Sequence, residues 1–390
     1  SPRMVYLDWA AAAVPDSTLL REISSAEREL FGNPSSLHAE GKRARALLEE
    51  CRGRAAAALD IDPAELYFTS GGTESNGIVL TSLLFRKKRS GLVISGIEHP
   101  SVWETAKRIG ELGCRVTSVN ASPSGLVDPE KIAAALDDTT GMVAVMTVSN
   151  DTGAVQPIKE IVGAVRGRER TLGGRIHIHT DAVQALGKVP FHPKSLGVDS
   201  AAFSGHKIGA PRGIGMLYLA KPIVSLPAGG EQEGGIRPGT ENLRGILGMT
   251  LAVERYTREF DRIFEHGRRL EEMILRAVEK EPSVQLIGDF ERRRRYSPWI
   301  VCLSIPPIPG EVLVRIMSDR GFAVSTGSAC SSAKASRTRS LENMGIDGKT
   351  AFSAIRISTG PATTAADIDE FLRVLLKDTA CLIDARTHGL

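Results

Sequence analysis

Residues 141–182 read GMVAVMTVSNDTGAVQPIKEIVGAVRGRERTLGGRIHIHTDA, and the order of textures in this stretch decides the fold. An apolar run at 141–150 gives way to a helix-like segment at 158–170 and then to a second apolar run at 175–182. Strand, helix, strand is the unit that joins two parallel neighbours of one sheet. The same alternation continues outward on both sides. LYFTS (66–70), GLVISGIEH (91–99), CRVTSVN (114–120), DSAAFSG (199–205) and GMLYLA (215–220) read as further strands. TESNGIVLTSLLFRKK (73–88), SVWETAKRIGELG (101–113) and DPEKIAAALDD (128–138) read as helices between them. The last opens with Asp128 as N-cap and Pro129 at the first helical position. The expectation is an α/β fold: a mostly parallel, seven-stranded sheet with helices on both faces.

The texture changes near residue 254. Tyr256, Phe260, Ile263, Phe264, Leu270, Met273, Ile274 and Ala277 recur at helical spacing in a long charged segment. This reads as a linking helix into a smaller α+β domain, with strands near 299–305 and 352–358 and helices near 310–320 and 365–377. The expected division is a large domain at 14–255 and a small one formed by 1–13 with 256–390. The run Arg292–Arg295 reads as a solvated loop or as a contact for an acidic partner.

Lys and Arg number 49 against 46 Asp and Glu, a net charge of +3, which argues against nucleic acid as a direct partner. No apolar run approaches the ~18 residues that span a bilayer, so no membrane contact is expected. The first residues lack the apolar core of a signal peptide. The five cysteines are odd in number and form no CxxC pair, which points away from disulfides and zinc and towards a reducing compartment, the cytoplasm. No metal site is expected. Cys51, Cys114, Cys302 and Cys381 sit in apolar or helical contexts and read as buried small hydrophobes. Cys330 differs, standing in the small-residue run STGSACSSA (325–333), either as a gap-filler in a turn or as a nucleophile.

Ligands of such sheets bind beyond the carboxyl ends of the strands, and the chemistry-bearing residues follow the strands here. Lys207, in SGHK after DSAAF, is flanked by Gly205 and Gly209; burial there would lower its pKa and make it a nucleophilic amine. Asp181, after RIHIHT, reads as a helix cap or as the partner of a buried cation such as a protonated pyridine. Ser70-Gly71-Gly72-Thr73, before a helix, reads as a plain turn or as a phosphate cradle. His99 is either structural or suited to stacking and proton transfer. Asn150 reads as a turn residue or as an amide for a phenolic oxygen or carboxylate. Arg356, on the apolar strand IRIS, reads as an ion-pair member or as a fork for a substrate carboxylate.

Together these stretches resemble the cysteine desulfurases of the pyridoxal-phosphate fold type I superfamily. The likeness runs from YLDWAAAAVP to IRISTGPATTAADID through GNPSSLH, YFTSGGTESN, IEHPSV, SNDTGAVQPI, HTDAVQALGK, FSGHKIGAPRGIG, GGEQEGGIRPGTEN and STGSAC, in matching order. The resemblance implies a pyridoxal 5′-phosphate cofactor held covalently by Lys207. Asp181 would meet the pyridine nitrogen, Gln184 the phenolic oxygen and His99 the ring face. Gly72, Thr73, Ser204 and His206 would hold the phosphate. Thr240 would reach the phosphate of the neighbouring subunit, making a homodimer. Asn150 and Arg356 would orient L-cysteine. Cys330 would take its sulfur as a persulfide, releasing alanine, and pass it to an acceptor or scaffold protein for iron–sulfur cluster, thio-cofactor or tRNA biosynthesis. Lys334, Arg337 and Arg339 would lend positive charge near that thiolate. Two other readings share this site: a lyase for selenocysteine or cysteine sulfinate, and a weakly catalytic, cofactor-bound partner protein. The sequence AKASRTRSLENMG after the cysteine departs from the Leu-Glu-Pro-Ser type usual in the family, and bears on acceptor recognition.

Overall fold

The computed structural model describes residues 3–29, 31–326 and 339–387. Along the chain the strands are β1 (Val5–Tyr6), β2 (Leu66–Thr69), β3 (Gly91–Ser95), β4 (Val116–Val119), β5 (Thr140–Ala144) and β6 (His177–Asp181). They continue with β7 (Ser200–Ser204), β8 (Gly215–Leu219), β9 (Gln285–Leu286), β10 (Ile300–Ser304), β11 (Phe322–Ala323) and β12 (Ala354–Ser358). Seven of them form the central sheet in the order β2-β8-β7-β6-β5-β3-β4. The neighbours from β7 to β4 run parallel, while β8 is antiparallel to both β7 and β2. Six strands therefore share one direction, and their carboxyl ends meet at one edge of the sheet.

Alternation of side chains across the pleat gives the sheet two apolar faces. Val93, Val143, Met216 and Tyr218 enter one core cluster with Ile132, Ile158, Ile161 and Val165 from the helices Pro129–Ala135 and Ile158–Leu172. Leu92, Ile94, Met142, Ala144, Leu217 and Leu219 enter another with Ile78, Val79 and Leu80 of helix Gly72–Thr81 and Val102, Ala106 and Ile109 of helix Pro100–Glu111. Helices thus cover both faces. The cap at Asp128 forms, its carboxylate accepting from Glu130 N–H at 2.9 Å. Helix Ile158–Leu172 ends where Gly173 takes the left-handed conformation at φ 71°.

A second, antiparallel sheet has the order β12-β10-β9, and β1 pairs with β11 in parallel. Its cluster joins Val5 and Leu7 to Leu270, Ile274, Leu303, Ile355, Phe371 and Leu375. The N-terminal segment leaves this sheet and runs to the carboxyl edge of the large one. Ser358 N–H donates to Leu7 O at 3.0 Å and Ala13 N–H donates to His206 O at 2.9 Å.

Four expectations change. The linking segment is two helices, Leu243–Arg258 and Phe260–Glu279, separated at Glu259. The final helix extends to Thr387. In the run Arg292–Arg295, Arg292, Arg294 and Arg295 are exposed as expected, but Arg293 is buried, pairs with buried Glu271 at 2.7 Å and lies 4.3 Å from the Tyr296 ring centre. A guanidinium there is held by a carboxylate and a π face, which the like-charge run conceals. Cys381 is exposed, on the outer side of the last helix, whereas Cys51, Cys114 and Cys302 are buried.

Candidate active site

A cleft of about 810 Å³ opens at the carboxyl edge of the large sheet. Its walls include Gly72, Thr73, His99, Asn150, Asp181, Gln184, Ser204, His206, Lys207 and Arg356, so these residues converge. The topology explains this: each follows a strand of the common direction, except Arg356, which β12 brings in from the second sheet.

Lys207 lies in a short turn after β7, and its Nζ donates to the carbonyls of Ala10 (2.7 Å) and Ala11 (2.8 Å). Burial, then the nearby Arg356 charge, bring its pKa down to about 8, against the opposing pull of Asp8 and Asp181. Such an amine is far closer to its nucleophilic form at neutral pH than a surface lysine. Asp181, at the end of β6, is buried; its carboxylate accepts from Asn76 Nδ2 and from Val183 N–H, each at 3.0 Å.

His99 is the N-cap of helix Pro100–Glu111, with Ser101 N–H donating to its Nδ1 at 3.1 Å. This histidine both caps a helix and lines the cleft. Since Nδ1 accepts, the proton of the neutral ring sits on Nε2. Burial holds its pKa below the ordinary value, with Asp181 opposing.

Gln184 is held at both ends. Its Oε1 accepts from Lys188 Nζ at 2.8 Å and its Nε2 donates to Ala10 O at 2.9 Å. Lys188 is buried, and burial, reinforced by the Lys207 charge, lowers its pKa to about 7. Arg356 is buried, with Nη1 donating to Asn150 O (2.8 Å) and Nη2 to Asp8 Oδ1 (3.0 Å). Its Nε is buried and has no partner among the described residues. Asn150 itself contributes its carbonyl to Arg356 and its amide to Asp151 at 3.4 Å.

The phosphate end fits an anion. Helix Gly72–Thr81 begins without any side-chain cap, leaving first-turn N–H groups and the positive end of its dipole facing the cleft. A Cβ at Gly72 would stand 2.6 Å from Val183 Cγ2, so the cradle wall has no room for a side chain. Ser204 Oγ and His206 Nδ1 lie 2.8 Å apart beside it. Anion donors at one end, a buried carboxylate below, a ring partner and a lysine of lowered pKa match the parts of pyridoxal 5′-phosphate.

Two residues stand apart. Thr240 does not line this cleft; it lines another of about 370 Å³ with Phe31, Pro34 and Leu247. Cys330, with Lys334 and Arg337, lies outside the described residues. Arg339 donates to Gly96 O (2.8 Å) and Glu98 O (2.7 Å) and sits 4.1 Å from the Trp103 ring centre, so it docks on the turn before His99. Glu98, within that turn, is buried and accepts from Ser95 Oγ and from Met146 N–H at 3.0 Å; burial pushes its pKa up to about 8.

Asp8, Asn76, Ser101 and Lys188 also belong to the site, and sequence reasoning did not single them out. All four fall inside stretches that carry the resemblance (YLDWAAAAVP, YFTSGGTESN, IEHPSV and HTDAVQALGK), but none is marked there by its own chemistry.

The fold and this cleft define a pyridoxal-phosphate enzyme of fold type I. The profile of the aminotransferase class-V family matches residues 5–371, and the chain belongs to that family, whose members depend on pyridoxal phosphate. It is 36% identical to a NifS/IcsS protein homolog of Lactobacillus delbrueckii subsp. bulgaricus over 374 residues, 95% of each chain. It is 35% identical to the cysteine desulfurase IscS of Dictyoglomus turgidum, covering 96% of this chain and 94% of that one. Among solved structures, a NifS-like protein superposes with a TM-score of 0.88 at 32% identity, covering 97% of this chain and 99% of that one.

Proposed function

We propose that this chain is a pyridoxal-phosphate-dependent cysteine desulfurase that converts L-cysteine to L-alanine and carries the sulfur on Cys330. The convergence of Lys207, Asp181, His99 and Arg356 on one cleft carries the reading. When bound, the cofactor supplies an electron sink for the charge that develops at the substrate Cα. Lys207 holds the cofactor, Asp181 faces its pyridine nitrogen, Gln184 its phenolic oxygen and His99 its ring. Gly72, Thr73, Ser204 and His206 receive its phosphate.

Arg356 and Asn150 take the substrate carboxylate from the wall of the cleft that both line. Lys207 Nζ, with its lowered pKa, removes the Cα proton and returns a proton on the alanine side. The Cys330 thiolate attacks the substrate sulfur: an S–S bond forms, the substrate C–S bond breaks, and the persulfide stays on Cys330 while alanine leaves.

The proposed unit is a homodimer in which Thr240 meets the neighbouring subunit's cofactor. Its place outside the Lys207 cleft and the exposure of Phe31 (76%) and Leu37 (88%) support this. The proposed division is a large domain at 14–255 and a small one at 1–13 with 256–390, in keeping with the separate cluster that Val5 and Leu7 join. The free cysteines suit a reducing, cytoplasmic setting, and among the described residues no helix is long and apolar enough to cross a membrane. A sulfur-acceptor protein completes the cycle.

The test is alanine release from L-cysteine by protein reconstituted with pyridoxal phosphate. Wild type should release alanine and Lys207→Ala almost none. A wild type that binds the cofactor yet releases no alanine with reductant in the assay overturns the proposal.

A further inference from the structure

From the wall of the cleft, where Asn76 and Ser101 stand, a chain of polar groups runs back to His179, Ser200 and His177, and the proposed chemistry assigns these five no task. Asn76 is fully buried, and its Nδ2 is 3.0 Å from both Asp181 Oδ2 and Ser101 Oγ. Its Oδ1 is 2.8 Å from His179 Nε2. His179 Nδ1 is 2.7 Å from Ser200 Oγ, and Ser200 Oγ is 2.7 Å from His177 Nε2. At the other end, Ser101 Oγ is 2.8 Å from His99 Nδ1.

The donor and acceptor roles follow from one end. A carboxylate only accepts, so Asn76 must turn its NH₂ towards Asp181 and Ser101. Its carbonyl oxygen then faces His179, which must carry its proton on Nε2. His179 Nδ1 is left as an acceptor and takes the Ser200 hydroxyl proton. Ser200 Oγ in turn accepts from His177 Nε2–H. Burial lowers the pKa of His179 to about 3 and of His177 to about 4, so both rings are neutral at working pH, as this assignment requires. Every donor in the chain then meets an acceptor.

We propose that His179 and Asn76 are positioning residues for the Asp181–His99 pair: the His179 Nε2–H fixes the Asn76 amide so that its two N–H bonds hold Asp181 and, through Ser101, His99. Without His179 the amide is free to turn. Its oxygen would then face the Asp181 carboxylate, acceptor against acceptor, and both groups would lose their fixed placement around the cofactor ring. One amide thus couples Asp181 to His99. Neither residue touches the reacting atoms. The inference rests on the pyridoxal-phosphate reading of the cleft.

The test compares His179→Phe, His179→Gln and Asn76→Leu with wild type, all reconstituted with pyridoxal phosphate. Gln keeps an N–H donor for the Asn76 oxygen; Phe and Leu keep bulk alone. The readouts are the visible absorption band of the bound cofactor, its dissociation constant, and kcat and KM for alanine release from L-cysteine. His179→Phe and Asn76→Leu should shift the band, weaken cofactor binding about tenfold and lower kcat by about tenfold or more with little change in KM, in line with losses seen when supporting hydrogen bonds are removed. His179→Gln should recover to within about threefold of wild type. Equal impairment of the Gln and Phe variants, or an unchanged band and kcat in a folded Asn76→Leu protein, overturns the proposal. Should His179→Phe not fold, the Gln and Leu variants decide in the same way. A wild type that binds no pyridoxal phosphate overturns the cofactor reading instead, which separates the two failures.

Discussion

Replacing Lys188 with methionine isolates the cost of a charge buried beside the cleft. Among the described residues Lys188 Nζ has one hydrogen-bond partner, Gln184 Oε1 at 2.8 Å, and burial lowers its pKa from 10.5 to about 7. Between those two values the unfolded chain holds the proton and the folded chain does not. Unfolding then takes up a proton, so the stability of wild type rises with pH across this window, at up to about 1.4 kcal/mol per pH unit. Below pH 7 both states are protonated and the penalty is constant, at about 5 kcal/mol by the same relation. Methionine fills a similar volume and carries no charge, at the expense of leaving Gln184 Oε1 without its donor, about 1–3 kcal/mol. At pH 7 Lys188→Met should therefore match or exceed wild type in stability. By pH 9 wild type should gain about 2 kcal/mol on the variant. Urea unfolding of the cofactor-free proteins at pH 7 and pH 9 measures this directly. A stability difference that does not move with pH would show that Lys188 is not held at a lowered pKa, and would refute the reasoning. In the reconstituted protein the freed Gln184 amide should weaken cofactor retention.

Arg356→Lys removes the fork that reaches Asn150 O and Asp8 Oδ1 together. It should raise KM for L-cysteine about ten- to a hundredfold with a smaller change in kcat, as expected for lost charged hydrogen bonds to the substrate carboxylate; an unchanged KM in steady-state assays counts against the assignment. Acid should destabilise the cofactor-free protein, because His177, His179 and His206 have folded pKa values of about 4, 3 and 4 against 6.5. Between pH 6.5 and 4 the unfolded chain binds more protons, so their contribution to stability falls as pH falls. Glu98, raised from 4.5 to about 8, acts in the opposite sense, favouring the folded state as pH falls from 8 to 4.5. The check is therefore the difference between wild type and His179→Gln, which should lose part of the acid slope in denaturant titrations; parallel slopes contradict it.

Much of this was legible in the chain because the large sheet is buried on both faces. Most of its seven strands are apolar runs bounded by turn residues, though β6 (HIHTD) and β4 (VTSV) carry polar residues, and all seven appear where the sequence places them. Strands β1, β9 and β11 have two residues each, too short for any periodicity to register. Arg293 and Cys381 went the other way from their local texture, since only the fold places Glu271 under one and solvent over the other. In the site, Lys207, Asp181, His99 and Gly72 were visible because strand ends bring them to one edge. Asn76, Ser101 and Lys188 were not, because they act on those residues across the fold rather than along the chain, and a polar residue in a helix carries no mark of what it faces. The docking of Arg339 on Gly96 and Glu98 gives the unusual sequence after Cys330 one physical task.

The most direct test of the central claim is peptide mass spectrometry after a single exposure of the reconstituted enzyme to L-cysteine, without reductant or acceptor. Added mass of one sulfur atom on the peptide bearing Cys330, formed together with alanine and absent from Lys207→Ala, is the predicted result. Alanine without sulfur on Cys330, or alanine formed equally by Cys330→Ala, would contradict the account.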